Sequence, residues 1–374
     1  MSNKRILLIH EDRIVTNLYR EKLEGNGFSV ESCRSIDQAL KAINQRKPDA
    51  VILDLVMQAG SPTGFIEALR FDQNTAKLPI LVFPNALPQL SAAAMAAGAT
   101  KVVLRGRKVL GSTIDAAKVA MGMTGLGQAA DADVFSPDDD WLSVIANSGA
   151  ESVNQMRHCI PALVSASPDL AMLQNLWALV HGTAERLAFL GNRALTQFAA
   201  AFDLLLADIN SMPEQLNQST LRTIGQSIDF LGDLIAGGAT KLRGDPGIAK
   251  ILIVDDEDSA QQFITAAMQM AGLKNDVASS PSAALEYLKN RHCDLIFLDV
   301  GLPEMSGFDL CQKIRTIVTH QKTPVVFLTG MATFQNKAQA SLAGGNDFVG
   351  KPFNLPELGV KALMWLYRGQ LSLL

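Results

Sequence analysis

The sequence contains no CxxC pair. Its four cysteines, Cys33, Cys159, Cys293 and Cys311, stand far apart, so neither a zinc site nor a disulfide framework is indicated, and they read as reduced intracellular thiols. An excess of charge of one sign is also missing. The 33 Lys plus Arg oppose 37 Asp plus Glu for a formal net charge of -4, so no strong field draws the chain to phosphate backbones or anionic lipid. Nucleic-acid and membrane partners are therefore not expected. No uncharged apolar run reaches membrane-spanning length. The opening MSNKRILLIHEDR is too short in apolar residues for a signal-peptide core, and a cytoplasmic protein is expected. What is present is ordinary for a folded chain, with 48% hydrophobic and 19% charged residues. A length of 374 residues implies two or three domains.

The main feature is an internal repeat. ILLIHEDR from Ile6 returns as ILIVDDED from Ile251, an offset of 245 residues. The same offset carries VILDLV, with Asp54, onto IFLDVG, with Asp299, and PILVFP from Pro79 onto PVVFLT from Pro324. Each copy alternates short aliphatic runs with amphipathic stretches such as QALKAINQ and AALEYLKN, the βαβ rhythm of a parallel sheet. Between the copies the strand signal vanishes. There LAMLQNLWALVHGTAERLAFL and LTQFAAAFDLLLADI carry apolar residues at helical spacing, and the stripes Leu176, Leu179, Leu187 and Phe198, Phe202, Leu205 are predicted core. The segments GLGQAADADVFSPDDD and GGATKLRGDPGIAK, rich in Gly, Pro and Asp, border this stretch as linkers. The expected architecture is two α/β domains, each a doubly wound parallel five-stranded sheet, flanking an all-α four-helix bundle.

In an open parallel sheet, function collects just after the carboxyl ends of the strands. In the C-terminal copy those positions hold Asp255 and Asp256, Asp299, Thr329, and Lys351 followed by Pro352. Three carboxylates at one edge repel one another unless a cation sits between them, and hard oxygen ligands suit Mg²⁺. A carboxylate held against Mg²⁺ and a lysine can attack a phosphoryl group. These residues resemble the receiver domain of two-component response regulators, over roughly 248 to 372. The resemblance implies a flavodoxin-like fold with Asp299 as phosphoacceptor and Asp255 and Asp256 as metal ligands beside the backbone carbonyl of Gly301. It further implies Thr329 as the switch hydroxyl, Lys351 as the phosphoryl contact and Phe348 as the switch aromatic.

The N-terminal copy is altered. Asp54 keeps the phosphoacceptor position, but His10 and Glu11 stand at the acidic pair and Pro84 at the position of Thr329. Proline offers no hydroxyl, and KVVLRGRK places Leu104, Arg105 and Gly106 where the lysine is needed. Glu11, Asp12 and Asp54 could still hold a metal, while the insertion QAGSPTG after Met57 displaces the flanking loop. The expectation is a pseudo-receiver kept for docking. In the centre, His181 lies mid-helix with Leu190–Gly191 ending that helix, a pattern that resembles a histidine phosphotransfer domain over about 140 to 240. That resemblance implies phosphoryl exchange through an exposed His181. The family's lysine and glycine three and four residues on are Ala184 and Glu185 here, so Glu185 is expected beside the imidazole, repelling a phosphoryl group, with Arg186 partly offsetting it. His158, beside Cys159 and before Pro161, reads as structural.

The domains are then a pseudo-receiver over 1–122, a linker over 123–138, a phosphotransfer-like bundle over 139–240, a linker over 241–247 and a receiver over 248–374. The expected function is that of a response regulator or phosphorelay component, not an enzyme. Asp299 would take its phosphoryl group from a histidine kinase or phosphotransfer protein and exchange it with His181. The alternative is a non-catalytic scaffold whose pseudo-receiver and bundle bind partners under control of Asp299. A third reading, a receiver phosphatase, rests only on the E-x-x-N spacing of Glu151 and Asn154. No DNA-binding, cyclic-nucleotide or ATP-binding kinase segment is recognisable, so output is expected through a downstream protein target. The last helix, with Trp365 and Tyr367, is expected to pack on its own sheet, with homodimerisation as the alternative role.

Overall fold

The aliphatic runs near either end of the chain form the strands of two parallel sheets. The computed structural model describes residues 3–57, 60–83, 88–103, 109–123, 139–165, 168–190, 192–237, 242, 248–330 and 342–372. They fall into an N-terminal unit of Met1–Ser152 with Asn175–Asn192 and a C-terminal unit of Val153–Gln174 with Arg193–Leu374.

The N-terminal unit runs β1 (Arg5–Ile9), α1 (Arg13–Gly25), β2 (Ser29–Cys33), α2 (Ile36–Gln45), β3 (Ala50–Leu53), α3 (Pro62–Phe71), β4 (Ile80–Val82), α4 (Pro88–Ala96), β5 (Lys101–Val102) and α5 (Val109–Ala120). All pairings are parallel, in the order β2-β1-β3-β4-β5. Helical crossovers cover such a sheet on both faces, so its central strands are apolar throughout instead of alternating. Leu7, Leu8 and Ile9 of β1 and Val51, Ile52 and Leu53 of β3 are accordingly buried. Side-chain oxygens start the helices: Asp12 accepts from the Ile14 and Val15 N–H groups at 2.8 and 3.0 Å, Ser35 from Gln38 at 3.2 Å and Ser61 from Gly64 at 3.0 Å.

Four described helices follow: α6 (Asp139–Leu163), α7 (Leu170–Ala188), α8 (Arg193–Ser211) and α9 (Gln218–Ile235). Helices α6 and α7 are each divided between the units, while α8 and α9 belong to the C-terminal one. The C-terminal unit continues β6 (Ile251–Val254), α10 (Asp258–Met270), β7 (Asn275–Ala278), α11 (Pro281–Asn290), β8 (Leu295–Asp299), α12 (Gly307–Thr316), β9 (Val325–Thr329), β10 (Asp347–Gly350) and α13 (Leu355–Ser372). Its sheet order, β7-β6-β8-β9-β10, repeats that of the first sheet, so the expected pair of flavodoxin-like folds with a helical region between them is present.

The two sheets share a structural device. Arg70 of α3 donates Nε–H to the carbonyl of Gly98 at 2.8 Å, and Arg315 of α12 donates to that of Gly344 at 2.9 Å. Each tie holds a positive-φ glycine in the turn before the last strand. Helix α13 is packed by its own unit. Gly359 lets α10 approach so closely that a Cβ there would lie 3.2 Å from that of Ala271, and the buried Tyr367 donates its hydroxyl to Gln197 of α8 at 3.2 Å. Tyr367 is thus enclosed within its own unit, and Trp365 is half-buried. No helix among the described residues is long and apolar enough to cross a membrane.

Candidate functional site

In both sheets the strand order reverses between the first and third strands, and residues following those strands share one edge. At the C-terminal edge, Asp255 and Asp256 follow β6, Asp299 ends β8, Thr329 ends β9 and Lys351 follows β10. Carboxylate oxygens of Asp255, Asp256 and Asp299 lie within 4.8 Å of one another; Asp255, Asp299 and Thr329 are buried while Asp256 is exposed. Lys351 Nζ stands 3.0 Å from Asp255 Oδ2 and 3.0 Å from Asp299 Oδ1. Its backbone N–H donates to the Thr329 carbonyl at 2.7 Å, and the Lys351–Pro352 peptide is cis. Backbone donors hold the two acids from below, Glu257 N–H to Asp255 Oδ1 at 3.0 Å and Gly301 N–H to Asp299 Oδ2 at 3.0 Å.

Burial pushes the Asp299 carboxyl up, against the opposing pull of Lys351 and the Gly301 N–H. Burial alone would lower the Lys351 ammonium, but its bonds to the two carboxylates outweigh that and raise it above the ordinary lysine range. Three carboxylates against one ammonium leave surplus negative charge on an all-oxygen donor set, which fits a hard divalent cation.

Beside this edge lies a buried ionic network that sequence reasoning missed. Arg222 of α9 pairs with Asp347 at 2.5 Å, bonds the Phe348 carbonyl and sits over the Phe348 ring with its guanidinium carbon 3.4 Å from the centroid. Lys361 of α13 pairs with Asp347 at 2.6 Å, and Trp365 donates to it at 3.0 Å. Burial works to raise the Asp347 carboxyl, but Lys361 and Arg222 hold it below the usual carboxylate range. Glu357 accepts from Ser219 and Thr223 at 2.8 and 2.7 Å. The available signal was Glu357 and Lys361, four residues apart in the largely apolar first half of that helix.

The N-terminal edge is occupied differently. His10 follows β1 and Asp54 follows β3, but the third member of the cluster is Glu185 of α7. His10 Nε2 lies 2.9 Å from Glu185 Oε2 and 3.8 Å from Asp54 Oδ2, and His181 Nε2 lies 3.7 Å from Glu185 Oε1. The Asp12 N–H donates to His10 Nδ1 at 3.0 Å, so the imidazole proton is on Nε2. Asp12, expected beside Glu11 and Asp54 as a metal ligand, instead caps α1 and pairs with Arg186; Glu11 is outside the cluster. Glu185 does lie beside His181, as the spacing predicts, but His181 itself is buried, which corrects the exposed position that the phosphotransfer resemblance implies. Pro84, Leu104, Arg105, Gly106 and Gly191 lie outside the described residues.

Two doubly wound sheets with carboxylates at the switch point define a class. Residues 6–107 and 251–362 each match the response regulator receiver domain; together they make up more than half of the chain, which belongs to this family. The transcriptional regulatory protein YvrH of Bacillus subtilis (strain 168) is 36% identical over 121 residues, 32% of this chain and 50% of the relative. The regulatory protein AtoC of Escherichia coli (strain K12) is 34% identical over 113 residues, 30% of this chain and 24% of the relative. The chain thus spans about half or less of these curated relatives. Among solved structures, the chemotaxis response regulator CheY4 of Vibrio cholerae shares 31% identity over 32% of this chain and 98% of its own, with a TM-score of 0.30. The receiver domain of sensor histidine kinase PA1611 from Pseudomonas aeruginosa PAO1, solved with a magnesium ion coordinated in its active site cleft, shares 26% identity over 32% of this chain and 97% of its own, with a TM-score of 0.30.

Proposed function

We propose that the C-terminal receiver accepts a phosphoryl group on Asp299 from a histidine kinase or phosphotransfer protein, as a two-component response regulator or phosphorelay component. The observation that carries this reading is the Lys351 ammonium, 3.0 Å from both Asp255 and Asp299 in a three-carboxylate cleft. In the transfer, an Asp299 oxygen forms a bond to phosphorus as the P–N bond of a phosphohistidine breaks and its electron pair leaves on the imidazole. Lys351 is placed to neutralise charge on the phosphoryl oxygens, and the Thr329 hydroxyl to donate to one of them. Asp255, Asp256 and Asp299, with the Gly301 carbonyl, would hold Mg²⁺, which when bound supplies further neutralisation of those oxygens. Phosphorylation would then alter the surface around Thr329 and Phe348 that a downstream protein reads, with the cytoplasm as the site of action.

The test is intact-mass and site-mapped phosphorylation by a small phosphodonor with Mg²⁺ in wild type, Asp299→Asn, Asp54→Asn and His181→Ala. Label confined to Asp299 is expected; its absence from Asp299 overturns the reading.

Burial of His181 beside Glu185 favours a second reading of the rest of the chain, a scaffold that binds partners under control of Asp299 without transfer through histidine. Acid-labile label on His181 that disappears in Asp299→Asn would establish an internal relay instead. The chain acts here as a phosphoacceptor, not an enzyme. A receiver phosphatase would rest on Glu151 and Asn154, both exposed, but the Asn154 amide oxygen accepts from Arg157 at 3.2 Å. An unchanged rate of label loss from a phosphorylated receiver on Asn154→Ala would dispose of that activity.

A further inference from the structure

His10 and Glu185 stand in different parts of the chain, and each is a separate departure from its own pattern. His10 takes the register position of Asp255, and Glu185 takes the position where the phosphotransfer pattern has glycine. The fold brings these two departures together at 2.9 Å. We infer that the N-terminal receiver has a resident partner, the chain's own helix α7, whose Glu185 carboxylate fills the cleft as a fixed substitute for a phosphoryl group and holds this unit docked without phosphorylation.

The chemistry of the pair is reciprocal. An aspartate at position 10 would set three carboxylates, its own with those of Asp54 and Glu185, in one buried space, at a large Coulombic cost. A neutral imidazole there adds no charge and so removes that cost, with its Nε2 2.9 Å from the Glu185 carboxylate. The proton on Nε2 keeps that nitrogen from a cation, because Nδ1 is already engaged as an acceptor by the Asp12 N–H. The side chains of His10, Asp54, Glu185 and His181 are no more than 5% exposed.

Further ties hold α7 at the cleft. Arg186 pairs with Asp12, the cap of α1, and also bonds Ser152 at 2.7 Å and Thr183 at 3.0 Å. Gly182 presents no side chain to this pair: a Cβ there would lie 3.5 Å from Asp12 Oδ2. On the apolar side, the Tyr19 ring of α1 contacts Phe83 at 4.7 Å and Phe189, just beyond α7, at 5.7 Å between centroids. The occupant is thus held by a close imidazole–carboxylate contact in the cleft, the Arg186–Asp12 ion pair and an aromatic contact to α1.

Carbethoxylation of the full-length protein by diethyl pyrocarbonate, mapped by mass spectrometry, tests this. Of the five histidines, His158 and His292 are exposed, whereas His10, His181 and His320 are buried. His320 belongs to the C-terminal unit and reports unfolding there. In wild type, His158 and His292 should react while the other three stay protected. Glu185→Ala should raise the rates at His10 and His181 about tenfold or more, the effect of losing a buried charged partner, with His320 unchanged. Glu185→Gln, which keeps an acceptor, should have a smaller effect. His10→Asp should unmask His181 by charge repulsion, and His10→Asp/Glu185→Gly should restore its protection. Wild-type His10 and His181 reacting as fast as His158, or protection unmoved by both Glu185→Ala and His10→Asp, would overturn the inference.

Discussion

The guanidinium of Arg222 sits 3.4 Å from the centre of the Phe348 ring while pairing with the preceding Asp347 at 2.5 Å. One cation on α9 therefore grips two consecutive residues of the edge strand β10, next to the Lys351 that reaches the acidic cleft. A cation over a ring and a buried ion pair are both stronger where water is excluded.

Arg222→Ala is expected to destabilise the C-terminal unit by roughly 2–4 kcal/mol, since it leaves a buried carboxylate with one partner fewer. Arg222→Lys keeps the charge without the planar fork and should cost less. Denaturant unfolding of both variants checks this, and a loss under about 0.5 kcal/mol for Arg222→Ala would show the contact to be energetically idle.

The pH dependence of this network has a definite sign. The Asp347 carboxyl is held below its ordinary range by Lys361 and Arg222, so its contribution is present above the unfolded-state pKa and lost as pH falls through the depressed folded value. Asp347→Asn should therefore lower the melting temperature strongly at neutral pH, and the gap from wild type should narrow on acidification. Glu357, pushed up by burial, acts in the opposite sense, so the gap for Glu357→Gln should not narrow in the same way. Melting curves from pH 7 to pH 3 for both variants separate the two.

Gly307 opens α12 against the end of β8, which carries Asp299. A Cβ there would fall 2.1 Å from the Asp299 carbonyl oxygen and 2.9 Å from Val300 Cα, and the Gly307 N–H donates to the Val300 carbonyl at 3.0 Å. Gly307→Ala should cost about 2–3 kcal/mol by overpacking and displace Asp299, lowering its labelling in step. An alanine variant with wild-type stability and labelling would mean that this loop yields freely.

Lys351 is the cleft's own cation. Lys351→Ala should slow labelling of Asp299 by a small phosphodonor by roughly tenfold or more, because a preorganised charge opposite the transferring oxygens is removed. Chelation of divalent cations should abolish the labelling. Retention of the wild-type rate in Lys351→Ala would exclude the lysine from the step.

The residues legible in the sequence are those that a strand places. Asp255, Asp299 and Thr329 each follow or end an aliphatic run, and a parallel sheet brings such ends to one edge whatever lies between them. Arg222 was not legible, because it is a single cation on an amphipathic helix and acquires meaning only from what that helix faces. Helical periodicity likewise identified α7 and put Glu185 next to His181, but periodicity within a helix carries no information about what covers it. The burial of His181 and the division of α6 and α7 between two units are outcomes of packing between distant segments.

The matching ties of Arg70 to Gly98 and Arg315 to Gly344 have a practical consequence. Each copy keeps the same frame, down to the arginine that closes its last turn, while the reactive groups differ. A single molecule therefore carries two versions of one frame with different residues at the sheet edge, at one concentration and in one buffer. A reagent that marks the C-terminal cleft but spares the N-terminal one reports the residues at the sheet edge and what covers them, not the sheet that both copies share.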